Sequence, residues 1–288
     1  MPPEPPVVSP QTLAEAYAVL ATAPHRPLAG GTDLLVQITG ELGEPPERVL
    51  DIWHLDELRG MQVESNALVI GALTTYAEIR RSPLVAEFLP ALAEAAATIG
   101  AAQIQNRGTI GGNAANASPA GDMLPLLLAC DAQLVLGSAR GERTVAAREF
   151  WPAYRRTALA GDELLLRISL PLASGRQVRY RKVGTRRAQS ISKVVMALAW
   201  RTDRADDPQT PWREVRLALG SVAATTIRAP RTEAVLEGSA PDEPTADRAA
   251  ATLADEIQPI DDVRSTADYR RAVAARVLHR LIRDEGGW

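Results

Sequence analysis

The chain has 288 residues, of which 46% are hydrophobic and 23% are charged, so it is long enough for two globular domains. A formal net charge of -3 and an aromatic content of 4% argue against a nucleic-acid-binding protein, because they supply neither a basic surface nor a base-stacking platform. Cys130 is the single cysteine, which excludes an internal disulfide and a cysteine-ligated iron–sulfur cluster within this chain.

The first 175 residues predict a mixture of short strands and helices. A helix is expected to begin at Ser9-Pro10, because serine suits the N-cap and proline the first turn. Residues 61–71 alternate as in a β-hairpin with Ser65-Asn66 at its turn, and the alanine-rich residues 84–97 predict one helix. An apolar stretch before Cys130 predicts a buried structural thiol. Further strands are expected at residues 27–31, 49–52, 132–136 and 164–170.

The remaining residues predict a second, smaller unit. Residues 171–175 are rich in turn formers, so we place a domain boundary between residues 1–175 and 176–288. Three strands, at residues 178–183, 191–200 and 215–222, predict a three-stranded sheet, and helices are expected at residues 245–257 and 266–282. Strands and helices interleave without a regular βαβ alternation, which favours an α+β fold over a doubly wound one.

Two glycine-rich segments are the strongest candidates for a ligand site. Paired glycines let a backbone bring its N–H groups close to a diphosphate, although such pairs also occur in ordinary turns. Neither segment matches a Walker loop or the G-x-G-x-x-G fingerprint, so a Rossmann domain is excluded. The first segment consists of Leu28, Ala29, Gly30, Gly31, Thr32, Asp33 and Leu34, where a helix is expected to begin. The second consists of Thr109, Ile110, Gly111, Gly112 and Asn113.

The residues that follow the second segment are polar and read as an irregular stretch. Asn116, Ser118 and Asp122 carry side chains that can hydrogen-bond hydroxyl groups or ring nitrogens. The alternative is that they only shape turns, with Asp122 capping a helix at residues 123–129.

The order and spacing of these motifs resemble a known family. Ala29 to Thr32, Thr109 to Asn113, Ser118-Pro119 and Asp122 are similar to the FAD-binding medium subunits of molybdenum hydroxylases, of the xanthine dehydrogenase and carbon monoxide dehydrogenase type. Further segments fit the same family at residues 105–108, 163–166, 180–187, 219–222, 228–231 and at Arg264-Ser265 with Tyr269-Arg270. The resemblance implies a vanillyl-alcohol-oxidase-like (PCMH-type) FAD-binding domain of two α+β lobes, divided near residue 60, within residues 1–175. A small α+β C-terminal domain would follow.

The resemblance also implies roles for single residues. The first glycine segment would hold the FAD diphosphate, and the second would lie by the ribityl chain and the isoalloxazine ring, with Asn116 and Ser118 nearby. Asp122 would accept hydrogen bonds from the cofactor, Leu165 would touch it, and Lys182 would lie close to the ring. Phe88 and Phe150 are the only phenylalanines, so aliphatic residues such as Ile99 or Ile110 are expected to pack against the flavin.

As a function, the resemblance implies a flavin subunit that transfers electrons. FAD would be bound non-covalently, and molybdopterin and two [2Fe–2S] clusters would reside on a large and a small partner subunit, in a dimer of heterotrimers. Electrons would leave to NAD⁺, a quinone or another acceptor. No catalytic residue and no metal ligand is expected in this chain, since His25, His54 and His279 lack metal-ligand spacing.

Two alternatives stay open. A stand-alone FAD oxidoreductase would need an acid or base near the flavin, and neither glycine segment contains a histidine or a tyrosine. A scaffold that has lost FAD would not need the intact glycines, Asn113, Asp122 and Lys182. No apolar run reaches the ~18–20 residues that span a membrane, and the start of the chain lacks a signal-like pattern, so a cytoplasmic location is expected.

One stretch of charge belongs to neither motif. From Arg176 to Lys193 there are seven basic residues and no acidic one. Such a run is usually a solvated face, but here it also predicts a docking face for acidic partner residues, at Arg176 to Arg187.

Overall fold

The chain begins with a small parallel sheet. The computed structural model describes residues 4–40, 43–186, 188–204 and 207–288. Strands β1 and β2 both pair in parallel with β3, which gives the order β1-β3-β2. The elements of this part are β1 (Val7–Val8), α1 (Leu13–Thr22), β2 (Arg26–Leu28), α2 (Leu34–Thr39) and β3 (Val49–Asp51). The predicted beginning of α1 at Ser9-Pro10 was wrong: Thr12 is the N-cap, because its hydroxyl accepts the Glu15 amide at 3.2 Å.

A five-stranded antiparallel sheet follows. Its strands are β4 (Met61–Glu64), β5 (Ala67–Gly71), β6 (Gln133–Ser138), β7 (Gly141–Ala146) and β8 (Leu164–Pro171), in the order β4-β5-β8-β6-β7. The predicted hairpin is confirmed, and its turn residues Ser65 and Asn66 have φ of 49° and 59°. Two left-handed residues in succession are what a type I′ turn requires, and this turn matches the twist of the flanking strands.

Short helices fill the connection between β5 and β6. They are α3 (Tyr76–Arg81), α4 (Pro83–Phe88), α5 (Pro90–Ala97), α6 (Ala102–Gln105), α7 (Ile110–Asn116) and α8 (Leu124–Ala129), and α9 (Ala147–Phe150) comes after β7. The single helix predicted at residues 84–97 was wrong. Pro90 offers no N–H and disfavours a helical conformation for the residue before it, so Leu89 adopts φ -152° and ψ 66° and separates α4 from α5.

The second glycine segment forms a helix and not the predicted turn, whereas the predicted irregular stretch is confirmed from residue 117 onward. Residues 110–116 are the helix α7, and Thr109 is its N-cap, with a hydroxyl that accepts the Gly112 amide at 3.0 Å. The side-chain cap and the helical hydrogen bonds outweigh the low helix propensity of two glycines. Ala117 ends the helix in the left-handed conformation, with φ 50°.

The C-terminal part contains a four-stranded antiparallel sheet, in the order β12-β11-β10-β9, covered by helices. Its elements are β9 (Gln177–Val183), β10 (Val194–Thr202), β11 (Trp212–Gly220), β12 (Ile227–Arg228), α10 (Pro230–Leu236), α11 (Glu243–Glu256) and α12 (Ala267–Gly286). The three predicted strands are present. The sheet has a fourth strand that the sequence did not predict, because two residues are too few for an alternating pattern.

This sheet buries both of its faces. Tyr180, Val195 and Ala197 belong to the core that includes α5 and α8, whereas Val194 and Met196 belong to the core under α11 and α12. Successive side chains of a strand point to opposite faces, so Lys182 lies on the same face of β9 as Tyr180. The sheet therefore presents Lys182 to the N-terminal part of the molecule.

Cys130 is confirmed as a buried thiol at the end of α8, with 2% of its surface exposed. Burial raises its pKa to about 12, so the thiol stays protonated. Within the described ranges, no helix combines the length and the apolar character that a bilayer span requires.

Candidate functional site

A cleft of about 470 Å³ lies between the small parallel sheet and the five-stranded sheet. The loop from β2 to α2 forms one wall, the first turn of α7 forms another, and the segment before β8 closes the third side. Most of the predicted site residues line it: Leu28, Ala29, Gly30, Gly31, Thr32, Asp33, Leu34, Ile99, Thr109, Gly111, Gly112, Asn113, Asn116 and Leu165. The predicted residues Ile110, Ser118, Asp122 and Lys182 do not line it. Ile110 is fully buried in the core, so of the two isoleucines only Ile99 faces the cleft.

The first glycine segment offers free hydrogen-bond donors to the cleft. The amides of Gly30, Gly31, Thr32 and Asp33 donate to no acceptor among the described residues. Gly31 has φ +75°, a conformation that residues with a Cβ rarely adopt. Successive unpaired N–H groups in such a loop make a concave site for an anion.

Gly30 serves a packing role as well. A Cβ at Gly30 would lie 1.7 Å from the carbonyl oxygen of Arg107, which is far closer than van der Waals contact permits. The first segment therefore rests directly on the backbone that leads into α7, and glycine is required here by the protein itself.

Four of the five amides of the second glycine segment, those of residues 110–113, are engaged. Gly111 donates to the Ala72 carbonyl at 2.9 Å, Asn113 donates to the Thr109 carbonyl at 3.1 Å, and the Gly112 amide bonds the Thr109 hydroxyl. Ile110 donates to the Thr74 carbonyl at 3.1 Å. This segment thus offers the cleft a closely packed backbone surface and the Asn113 side chain.

A buried ion pair lies behind the second segment. Lys182 Nζ lies 2.6 Å from Asp122 Oδ2 and also donates to the Thr98 carbonyl at 2.9 Å, and the two side chains are 7% and 10% exposed. Burial raises the pKa of Asp122, and the Lys182 charge opposes that rise. The alternative that Asp122 caps α8 is excluded, because the N-cap residue of this helix is Met123 and no side-chain hydrogen bond caps the helix.

Of the five buried side-chain N or O atoms that lack a hydrogen-bond partner in the described part of the chain, two belong to predicted site residues. They are Asn113 Oδ1 and Asp122 Oδ1. Buried polar atoms in proteins are nearly always hydrogen-bonded, so an unpaired pair beside a cleft indicates donors supplied by a ligand. The charge of Asp122 reaches the cleft lining, because it is among the causes that raise the pKa of Tyr76.

Two tyrosines to which the sequence analysis gave no role also lie in this region. Tyr76, at the start of α3, lines the cleft and packs so closely on Gly108 that a Cβ there would lie 2.7 Å from its ring. The Tyr180 hydroxyl lies 3.4 Å from the Thr98 hydroxyl. Burial, and then the charge of Asp122, raise the pKa of both phenols. No sequence signal marks Tyr76, since 32 residues separate it from the second glycine segment.

Glu163 was part of the family motif but was given no role. It lies at the cleft, where Arg143 donates to both of its carboxylate oxygens at 2.6 and 2.7 Å. It also accepts the Ala160 amide at 2.8 Å, so it fixes the residues that form the third wall. These hydrogen bonds from Arg143 lower the pKa of Glu163. Other lining residues that the sequence analysis missed include His25, Arg26, Thr157 and Gly161.

No group of three or more histidine, cysteine, aspartate or glutamate side chains, among those that the structure describes, is arranged to hold a metal ion.

Comparisons with known proteins identify both halves of the chain. Residues 4–173 match the family described as the FAD binding domain in molybdopterin dehydrogenase, and residues 179–284 match the CO dehydrogenase flavoprotein C-terminal domain. The carbon monoxide dehydrogenase medium chain of Hydrogenophaga pseudoflava is 33% identical, over 95% of this chain and 94% of that protein. The glyceraldehyde dehydrogenase medium chain of Sulfolobus acidocaldarius is 33% identical, over 94% and 95%. A reconstituted CO dehydrogenase from Oligotropha carboxidovorans contains a chain of the same fold, with a TM-score of 0.92 and 31% identity over 100% of this chain and 99% of that chain.

Proposed function

Because the chain belongs to the family of FAD-binding medium subunits of molybdopterin dehydrogenases, we propose that it takes electrons from [2Fe–2S] clusters on a small subunit and passes them to a separate acceptor. The acceptor would be NAD⁺, a quinone or another electron acceptor. The large subunit would hold molybdopterin, and the assembly would be a dimer of heterotrimers. The observation that supports FAD binding is the set of four amides in the first glycine segment, which face the cleft and have no acceptor among the described residues. Two buried acceptor atoms without a described partner, Asn113 Oδ1 and Asp122 Oδ1, lie near the same cleft.

The donors and acceptors of the site fit FAD. The diphosphate requires N–H donors, which Gly30, Gly31, Thr32 and Asp33 would supply. The ribityl hydroxyls and the ring N–H require acceptors, which Asn113 Oδ1 and Asp122 Oδ1 would supply. Ile99 and Leu165 would provide the apolar contact for the ring. The predicted cofactor-binding residues that line the cleft would contact FAD directly, whereas Ile110, Ser118, Asp122 and Lys182 would act from outside the cleft lining.

When bound, FAD supplies a carrier that accepts single electrons and releases a pair. The residues of this chain would hold it, exclude water from one side and set its electrostatic environment. An isolated ammonium would raise the potential of the flavin by favouring its anionic reduced form. Lys182 is paired with Asp122 at 2.6 Å, so the pair acts as a dipole and its effect is smaller than that of a lone lysine.

The stand-alone oxidoreductase is less well supported by this geometry. Such an enzyme needs a base that removes a proton from its substrate near physiological pH. Beside the second glycine segment, where the flavin ring is proposed to lie, the raised pKa of Tyr76 and of Tyr180 keeps both phenols protonated, and Asp122 is bound to Lys182. The two medium-chain relatives carry the names of enzymes with different substrates, carbon monoxide and glyceraldehyde. We infer that the partner chains determine which substrate the complex oxidises.

We also propose that residues 1–175 and 176–288 are separate domains, the first with two lobes that meet near residue 60. In support, no strand of the five-stranded sheet pairs with a strand of the C-terminal sheet among the described residues.

The function is tested by purification and by co-expression with the neighbouring genes. We expect a yellow protein from which acid precipitation releases FAD into the supernatant, and size-exclusion chromatography should show this chain eluting with molybdenum- and iron–sulfur-containing subunits. Flavin that stays with the acid pellet would contradict non-covalent binding. A chain that oxidises a small substrate alone would establish the stand-alone enzyme instead.

A further inference from the structure

Arg107 belongs to the family-like segment at residues 105–108, to which the proposed function gives no role. Its guanidinium carbon lies 3.8 Å from the centroid of the Trp53 ring, within the distance of a cation–π contact. The residue is exposed, and its guanidinium meets no carboxylate or other hydrogen-bond acceptor in the described ranges. The contact holds the guanidinium against the indole ring and leaves its N–H groups available to a carboxylate outside this chain.

Arg59 holds the same indole from within the molecule. Its guanidinium carbon lies 4.4 Å from the Trp53 ring centroid, and its N–H groups donate to the carbonyls of Trp53 and Leu73. Asp56 approaches Arg59 at 3.7 Å but is 95% exposed, so it neutralises little of the charge. The Trp53 ring therefore has an anchored cation and a free cation in contact with it. We call Arg107, Trp53 and Arg59 the arginine–tryptophan stack.

The stack lies at the rim of the cleft. The Arg107 carbonyl packs against Gly30, whose amide faces the cleft, and the neighbouring residue Ile104 lines the cleft. The backbone of Arg107 thus packs against a residue of the cleft wall, while its side chain is exposed to solvent. A partner that binds the side chain would be positioned beside the cofactor site.

Among the described arginines of the basic segment that the sequence predicted as a docking face, only Arg179 forms an ion pair within this chain. Arg179 is bound by Glu285 at 2.6 Å, and the remaining described arginines of the segment donate to backbone carbonyls. Those arginines are Arg176, Arg181 and Arg186. Arg187 lies outside the described residues. The prediction of a docking face at residues 176–187 stays a prediction, because a backbone carbonyl that accepts a hydrogen bond does not neutralise the charge of the arginine.

We propose that the arginine–tryptophan stack is the contact point for an acidic surface on the iron–sulfur subunit that delivers electrons to this chain. The inference rests on the proposed function. An electron donor has to approach the edge of the cleft, and a cation fixed at that edge both attracts an acidic partner and orients it. Clusters held by four thiolates carry negative charge, which gives such a partner an anionic character near its redox centre.

The test compares Arg107→Gln with a matched control, Arg81→Gln, in the co-expressed complex. Arg81 is exposed in the last turn of α3 and forms no ion pair with the described residues. Arg107→Gln should keep full FAD content but weaken association with the iron–sulfur subunit about tenfold at low salt, and reduce the salt dependence of binding. Arg81→Gln should change neither quantity. Trp53→Leu, which frees Arg107 from the stack, should weaken association by a smaller factor.

Three outcomes would overturn the proposal. Association and salt dependence that equal those of the wild type in Arg107→Gln would show that the stack is not the contact. Loss of FAD from Arg107→Gln would assign Arg107 to the cofactor. An unchanged association with a raised KM for a nicotinamide dinucleotide would assign it to a nucleotide acceptor. Failure of the proposed function itself is distinguishable, since the wild-type chain would then carry no FAD or would never bind an iron–sulfur subunit.

Discussion

Glycine serves different purposes at neighbouring positions of the second segment. A Cβ at Gly111 would lie 2.6 Å from both the Cβ and the carbonyl oxygen of Ala72, so this glycine is required for packing within the protein. A Cβ at Gly112 would meet only the Thr109 hydroxyl, at 2.9 Å, and otherwise faces the cleft. Substitutions at these two positions can therefore distinguish a packing requirement within the protein, at Gly111, from a contact with the ligand, at Gly112.

Gly112→Ala should weaken FAD binding at least about tenfold while the apoprotein keeps its free energy of unfolding within ~1 kcal/mol, because the new methyl group occupies space at the cleft. Gly111→Ala should instead lower the free energy of unfolding by several kcal/mol, on the order of other overpacked core positions. Flavin-to-protein absorbance ratios and urea unfolding measure both effects. Wild-type flavin occupancy in Gly112→Ala would contradict the proposed cofactor contact.

Glu163 predicts a pH dependence of stability. Arg143 lowers the pKa of Glu163 in the folded protein, so the carboxylate contributes stability at a pH above its unfolded-state pKa of about 4.3, and that contribution disappears as the pH falls through the lower folded-state pKa. Glu163→Gln should therefore be less stable than wild type at pH 7, and the difference should shrink below about pH 4.3. Glu87→Gln, at an exposed position of α4, is the control. A difference that stays constant down to pH 3 would contradict the ion pair.

Substitutions of Asp122 and Lys182 are expected to have strongly coupled effects on the free energy of unfolding. Lys182→Met leaves a carboxylate that is largely buried without its counter-charge, which typically costs about 3–5 kcal/mol. The double variant Asp122→Asn, Lys182→Met should lose less stability than the sum of the two single variants, since it leaves no unpaired charge. Unfolding of the four apoproteins in urea gives the coupling free energy. Additive losses would show that the two groups act independently.

At the scale of secondary-structure elements, α12 connects the C-terminal sheet to the loop that carries Asp122. Arg270, which is 4% exposed, donates to the Ser221 carbonyl at 2.8 Å and to the Lys193 carbonyl at 3.2 Å, and forms an ion pair with Asp262 at 2.7 Å. The Ser221 amide in turn donates to the Pro119 carbonyl at 2.8 Å. A helix near the end of the chain thereby supports the position of a residue beside the candidate site.

Arg270→Met should lower the free energy of unfolding by roughly 3 kcal/mol, because two carbonyls and a carboxylate lose a charged donor in a buried place. Arg271→Met replaces the adjacent arginine, which is 40% exposed, and should change stability by no more than about 0.5 kcal/mol. Chemical denaturation followed by circular dichroism compares them. Equal effects would show that Arg270 is an ordinary surface residue.

At the scale of the whole molecule, one hydrophobic core joins the two parts of the chain. Leu68 and Leu134 of the N-terminal part share that core with Tyr180, Val195 and Ala218 of the C-terminal sheet. A common core couples the unfolding of the two parts, even though each part has its own sheet. The family resemblance and the α+β fold with its FAD-binding domain are confirmed by the comparisons.

We expect a single cooperative unfolding transition for the apoprotein, seen at the same denaturant concentration by tryptophan fluorescence and by circular dichroism. FAD at 100 times its dissociation constant should raise the free energy of unfolding by about 2.7 kcal/mol, and it should shift both signals together. Two separate transitions, of which FAD moves only one, would show that the two parts unfold independently.

The sequence by itself determined the features that depend on neighbouring residues. The hairpin turn at Ser65-Asn66 and the strand at β8 follow from local conformation and alternation, and the first glycine segment predicted a cleft wall because its residues are adjacent in the chain. The family resemblance predicted that Asp122 and Lys182 contact the cofactor, but it did not show that they form an ion pair behind the second glycine segment.

Only the tertiary structure decided which polar groups are free and which are engaged. The amides of the first glycine segment are unpaired in the described structure, whereas four amides of the second are bonded to Ala72, Thr74 and Thr109. Arg179 is bound to Glu285, which is 106 residues away, while Arg107 remains available. The physical reason is that a hydrogen bond or an ion pair depends on distance in space, and partners far apart in sequence meet only when the sheets and helices have packed.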